Sequence, residues 1–179
     1  SPNTNNITIM NTSAKLYSLS FGNVKTYLFA LLFVAGNILL PQLCHLVPLG
    51  GPTLLPIYFF TLIAAYKFGL RVGLLTAILS PVINHLLFGM PAAAVLPAIL
   101  IKSGLLALAT AAVARYAKNK VWLGGLLIAV LAYQLIGTSF EWALCGDFHL
   151  AAQDFRIGVP GMLLQWLGGY FILRAIANK

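Results

Sequence analysis

The residues able to do chemistry are few and stand in otherwise apolar sequence. Asn37, Gln42 and His45 come first, then Asn84 and His85. Lys102 stands alone in a run of Leu, Ile and Ala. Gln134, Glu141 and Trp142 follow, then Arg156, Gln165 and Trp166. Such groups suit hydrogen bonding and charge pairing with a small molecule better than bond-breaking. No Gly-x-Ser-x-Gly elbow accompanies Ser103 or Ser139, and no His-Glu-x-x-His is present for zinc. The chain has neither a Walker motif nor Gly-x-Gly-x-x-Gly, so ATP hydrolysis by the chain itself is not expected, nor is an enzyme or a resident cofactor. Cys44 and His45 adjoin, and neighbours on a helix point about 100° apart, a poor joint chelate.

The segments that must carry these residues are set by composition. Of 179 residues 60% are hydrophobic and 8% charged, and the mean hydropathy is +0.92. A soluble domain carries about 25% charged residues. The chain cannot cover itself in a solvated surface, which excludes soluble enzymes, coiled coils and nucleic-acid-binding domains. The +8 net charge is no argument for nucleic acid, because the cations fall at the ends of apolar segments. Two cysteines make no disulfide framework; Cys44 and Cys145 are expected near one membrane face, either paired or as free thiols.

An all-α integral membrane fold follows, with six spans expected near 24–46, 54–68, 72–88, 92–116, 121–144 and 157–177. Residues 23–179 form the membrane domain. Residues 1–22 read as a polar cytoplasmic tail, of which 1–9 are an added remnant ahead of a start at Met10. The tail lacks the basic and apolar regions of a signal peptide. Asn6-Ile-Thr8 and Asn11-Thr-Ser13 match the glycosylation pattern but fall on the inner side and carry no weight.

Nine of the 11 basic residues group on one side: Lys15, Lys25, Lys67, Arg71, Arg115, Lys118, Lys120, Arg174 and Lys179. Arg156 stands on the other side and Lys102 within a span. The three acids, Glu141, Asp147 and Asp154, fall opposite the basic cluster. The positive-inside rule then puts both termini in the cytoplasm of an inner-membrane, multi-pass protein.

Polar groups within spans mark packing contacts or sites. They concentrate in the outer half, with Lys102 about ten residues deep, roughly 15 Å at the helical rise. The inner half is mostly Leu, Ala, Ile and Gly. An outward-facing polar pocket, closed below, is the expected result, with turns 47–53 and 145–156 as lids. Each residue also has a plainer reading. Lys102 is a ligand contact, a structural bridge to Glu141, or a snorkelling cation. His45 and His85 bond ligand or backbone, and Asn84 and Gln134 are pocket groups or interhelical glue. Trp142 fits an interfacial belt and Trp166 core packing. Glu141, Asp147, Asp154 and Arg156 also read as an ordinary solvated loop. Ala30, Ala35, Gly36, Gly73 and Ala77 are small residues that suit either a partner-docking face or packing within the chain.

The pattern resembles the substrate-binding S component of energy-coupling factor (ECF) vitamin transporters, over about residues 24–177. The resemblance rests on the six short spans with both ends inside, and on GlyGlyProThrLeuLeuPro (50–56) opening helix two. LysPheGlyLeuArgValGly (67–73), SerProValIleAsn (80–84) and GlyMetPro (89–91) add to it. It implies capture of a vitamin-like small molecule at the outer face. It also implies association with a transmembrane coupling subunit and two cytoplasmic ATPases, and toppling in the bilayer to release ligand. The family often shows two alanines four apart on helix one; here Ala30 and Ala35 are five apart. That implies a variant contact, or a solitary cobalamin-type member in which Cys44, His45 or His85 meets the cobalt; otherwise no metal is expected. Lys102 and Arg156 would suit a carboxylate or phosphate on the ligand. The competing readings are a structural membrane scaffold of the cell-wall morphogenesis kind and, third, an intramembrane hydrolase using Ser103 or Ser139.

Overall fold

The computed structural model describes residues 11–179; the Asn6 glycosylation pattern and the Met10 start lie outside the described residues. The fold is an all-α bundle with one small β-ribbon. β1 (Asn11–Ser13) leads into α1 (Val24–Cys44), the short α2 (Gly50–Leu54) and a 3₁₀ turn (Pro56–Tyr58). α3 (Phe59–Phe68), α4 (Leu70–Phe88) and α5 (Leu96–Ala117) follow, then β2 (Lys120–Trp122) and α6 (Leu123–Cys145). The chain ends in α7 (Phe148–Ala151), α8 (Gln153–Ile157), α9 (Val159–Leu163), a π turn (Leu164–Gly168) and α10 (Gly169–Ala175).

Among the described residues four helices, α1, α4, α5 and α6, are long and apolar enough to cross a membrane. A shorter apolar helix covers Pro56–Phe68. The outer faces of the long helices are bare Leu, as at Leu31, Leu32, Leu39 and Leu43 on α1. That is the surface a bilayer requires, since lipid tails accept apolar side chains and leave the helical backbone to bond itself. The chain is a small multi-pass helical membrane protein.

The two remaining expected spans differ from the sequence reading. Leu49 and Leu55 both adopt left-handed φ (57° and 48°), so the expected turn at 47–53 holds the short α2, and the expected second span, 54–68, takes the form of the shorter apolar helix Pro56–Phe68. α2 folds back onto the end of α1, and Gly50 lies so close to the Cys44 carbonyl that no side chain fits. α3 is then enclosed by the other helices, with Thr61 to Lys67 all buried. A helix apolar all round is a core helix, and this one fills the centre of the bundle. The last segment, 159–175, is helical but interrupted by its π turn.

At the centre of the bundle a polar knot ties three helices. The Asn37 amide donates to Thr61 (3.1 Å) and Ser80 (3.0 Å), and its oxygen accepts the Phe60 N–H (3.1 Å). Asn84 donates to the carbonyls of Asn37 (3.0 Å) and Ser80 (2.8 Å). All four side chains are buried, so each bond removes a polar group that hydrocarbon would not satisfy.

The tail is not loose from Asn11 onward. β1 pairs antiparallel with β2, Thr12 opposite Val121. Lys67 is 1% exposed, and its ammonium donates to the carbonyls of Lys15 (2.5 Å) and Ala177 (3.1 Å). One cation thus fastens both ends of the chain to the end of α3. Hydrogen bonds to a charged group contribute about 1.5–3 kcal/mol each. Lys67→Met is expected to raise hydrogen exchange across residues 14–19 and 174–179 while leaving α5 and α6 protected. Unchanged exchange at both ends would refute the fastening.

Candidate functional site

The charged residues meet where α5, α6 and α8 come together. Lys102 on α5 is 3% exposed, and its ammonium lies 2.7 Å from Glu141 Oε2 and 3.1 Å from Asp154 Oδ2. The Gln134 amide donates to the same Asp154 oxygen at 3.0 Å. Close helix packing makes this possible. Gly137 on α6 faces the Lys102 stem, and a Cβ there would stand 2.5 Å from Lys102 Cγ. The loop expected at 145–156 folds into two short helices. Asp147 caps α7 by accepting the amides of His149 (2.9 Å) and Leu150 (3.3 Å). α8 then turns Asp154 inward, where it is 8% exposed.

The triad forms one wall of a cavity of about 280 Å³ at the acidic end of the bundle. Gln42, His45, Asn84, Lys102, Glu141, Gln153 and Asp154 supply its polar lining. Tyr58, Ile57, Ile99 and Met90 supply apolar walls, with prolines 41, 52, 56 and 91. Its volume lies at the lower edge of the roughly 300–1,000 Å³ usual for ligand pockets. One lysine against two carboxylates leaves the lining with a net charge of −1, counting His45 as neutral. Asp154 Oδ1 and Glu141 Oε1 make no hydrogen bond among the described residues, so each carboxylate keeps an acceptor free.

Five of the expected pocket residues line this cavity: Gln42, His45, Asn84, Lys102 and Glu141. The other seven do not. Asn37 is spent in the central knot. His85 bonds the Pro91 carbonyl at 2.7 Å, bracing the turn beneath the cavity rim. Gln134 stands behind Asp154. Trp142 is half-exposed and packs edge-on against Phe148 at 5.1 Å. Arg156 is exposed, and its Nε donates to the His149 carbonyl at 2.9 Å. Gln165 accepts from Tyr133 and donates to the carbonyl of the cavity-lining Leu55 (3.4 Å), and Trp166 donates to the Leu123 carbonyl at 2.9 Å, towards the basic end. The expectation that Lys102, Asn84 and Gln165 share one chamber therefore holds for the first two alone.

Arg156 lies outside the cavity, and Lys102 is paired with Glu141 and Asp154. Cys44 is buried and Cys145 exposed, and both are free thiols. Cys44, His45 and His85 do not converge: His45 alone lines the cavity, and no group of three ligating side chains occurs among the described residues. The small residues are mostly used internally. Ala30 and Ala77 are buried, Gly36 packs against Phe60 and Gly73 against Ala65, leaving Ala35 exposed. Small residues here serve close helix–helix approach within the chain.

Sequence reasoning missed Asp154, Gln153 and Tyr58. A signal for Asp154 existed: a lysine in mid-span needs a counter-charge, and the chain offers three acids to supply one. Comparison with protein-family models, with curated proteins and with solved structures finds no match. The fold and this site define a small α-helical membrane protein with four apolar candidate spans and a charged cavity at its acidic end.

Removing one partner of a buried ion pair costs about 3–5 kcal/mol, because the remaining charge stays buried without compensation. Lys102→Met is therefore expected to lower the melting temperature in detergent strongly. The triple change Lys102→Met, Glu141→Gln, Asp154→Asn should recover part of that loss. A triple variant less stable than Lys102→Met would show that the ions do not act as one unit.

Proposed function

We propose that this chain is the substrate-capturing membrane subunit of a micronutrient importer, the S component of an ECF-type system. In this reading the acidic end faces outward, the basic end faces the cytoplasm, and six helical segments cross the bilayer. α3 and 159–175 are the two short ones. The observation that carries the reading is a cavity at one end of the bundle into which buried charges face. A mid-span charge is costly, and its retention beside a cavity points to ligand contact. The asymmetric distribution of cations supports the orientation. Energy would come from a coupling subunit and ATPases, since the chain carries no nucleotide-binding motif. The scaffold reading has no use for such a cavity. The hydrolase reading gains nothing from Ser103, whose hydroxyl donates to the Ala77 carbonyl (2.8 Å), or from Ser139, which bonds Leu135 (2.9 Å).

The geometry also constrains the ligand. A net-negative, low-dielectric lining with free carboxylate oxygens favours a cationic or donor-rich molecule over a carboxylate or phosphate. The aromatic and proline walls favour a flat ring. A cavity of about 280 Å³ admits one or two fused rings and not a corrin, which argues against the solitary cobalamin alternative.

The test is native mass spectrometry of the purified protein in detergent, with thiamine, adenine and pantothenate as cationic, neutral and anionic probes. Retention of a cationic or neutral probe, weakened about tenfold or more by Asp154→Asn, is the expected result; that is about 1.4 kcal/mol. Tighter retention of pantothenate would refute the charge assignment while keeping the capture role. Absence of any bound small molecule, both as purified and with the probes, would count against the capture role itself.

A further inference from the structure

The second large concavity lies at the basic end, and its chemistry differs from the first. It has a volume of about 1190 Å³ and runs between the docked segment 16–21, the start of α4 and the end of α5. Three cations line it, Arg71, Arg115 and Lys118, all exposed, and no acid does. The chain's three acids are all at the other end, so nothing within the described residues neutralises these charges. The start of α4 adds to the same field. Its N-cap is Gly69, which offers no side-chain acceptor, and the first intrahelical bond is from Gly73 to the Gly69 carbonyl (3.0 Å). The amides of Leu70, Arg71 and Val72 precede that bond and keep their partial positive charge. Gly69, Leu70 and Arg71 all border the groove.

Below this positive rim the groove is apolar, with Leu74 and Leu108 on the facing helices and Ala111 between. Two aromatic residues also line it: Phe21, whose ring lies 5.9 Å beneath the Arg71 guanidinium, and the largely exposed Tyr116. Cations above, rings at the interface and hydrocarbon below repeat the layering of a single phospholipid. A free phosphate would use the rim and leave the apolar floor empty. A peptide strand would need backbone partners, and the adjoining backbone is already paired: Tyr17 N–H donates to the Lys67 carbonyl (2.8 Å) and Leu19 N–H to that of Phe68 (3.3 Å).

We propose that this groove is a binding site for one anionic phospholipid, its phosphate held by Arg71, Arg115 and Lys118 and one acyl chain lying along Leu74 and Leu108. Basic pockets between membrane helices select anionic headgroups in this way. The site is independent of what the acidic-end cavity binds.

The test is native mass spectrometry of the full chain released from nanodiscs holding equal phosphatidylglycerol and phosphatidylcholine. One phosphatidylglycerol should be retained about tenfold over phosphatidylcholine, and Arg71→Gln with Arg115→Gln and Lys118→Gln should abolish the preference. Lys118→Gln alone, on an exposed turn, should lower the preference severalfold and guards against misfolding of the triple variant. Leu108→Trp, which fills the floor and keeps every charge, should reduce retention of both lipids. Equal retention by the native protein, an undiminished preference in the charge variants, or displacement of the lipid by millimolar inorganic phosphate would overturn the proposal.

Discussion

The charge of Lys102 is the constraint on which the rest of the acidic end depends. An ammonium at the seventh residue of α5, buried among the helices, loses its hydration, and its cost in real proteins is several kcal/mol before compensation. The bundle compensates it twice, with Glu141 at 2.7 Å and Asp154 at 3.1 Å. Those two contacts dictate other choices. Gly137 must lack a side chain so that α6 can approach the lysine stem. Gln134 must present its amide to Asp154. The stretch after α6 cannot stay a solvated loop, because Asp154 has to be carried inward, and the short helices α7 and α8 do that. Asp147 begins the turn by capping α7. The cavity is what remains between this charged wall and the proline-rich ends of α1, α2 and α4.

The two ends of the bundle are built on opposite principles. At the acidic end the polar atoms face a cavity, and two carboxylate oxygens remain without partners. At the basic end the buried cation Lys67 bonds two backbone carbonyls, those of Lys15 and Ala177, and its role is to fasten the terminal segments. The Asn37 knot lies between, holding α1, α3 and α4 in register. A buried asparagine bonded on both its amide and its carbonyl oxygen specifies one arrangement of helices, because any slip leaves donors unsatisfied. One side of the cavity is thus bounded by long helices tied through this knot, and another by the short elements α2 and α8.

Much of the bundle was legible from hydropathy and charge. The spans read at 24–46, 72–88, 92–116 and 121–144 correspond to α1, α4, α5 and α6 within a few residues. Uninterrupted apolar runs leave few alternatives. The segments at 54–68 and 157–177 were less so. Left-handed Leu55 carries no signal of its own, since it is not a glycine, and it delays the helix of the former to Pro56–Phe68. A π turn at Leu164–Gly168 changes the helical phase within the latter and carries Gln165 and Trp166, neither of which lines the cavity. Depth can be counted along a sequence, but facing cannot be read where helical phase changes. The same limit hid Asp154: a polar stretch with several charges reads as solvated, and only the need of Lys102 for a partner distinguishes one acid from its neighbours.

The pairing of Lys102 also bears on what the cavity can accept. An empty site with two close carboxylates in low dielectric would repel itself, and the lysine removes that repulsion without consuming every acceptor oxygen. A bound cation would take the free oxygens Asp154 Oδ1 and Glu141 Oε1 and share the carboxylates with Lys102. A bound anion would have to detach Lys102 from both acids and leave them unpaired beside it. The first costs partial weakening of two contacts; the second exposes two uncompensated charges. The same geometry that stabilises the lysine would thus disfavour an anion in the cavity, the charge that a lone lysine in the sequence would attract.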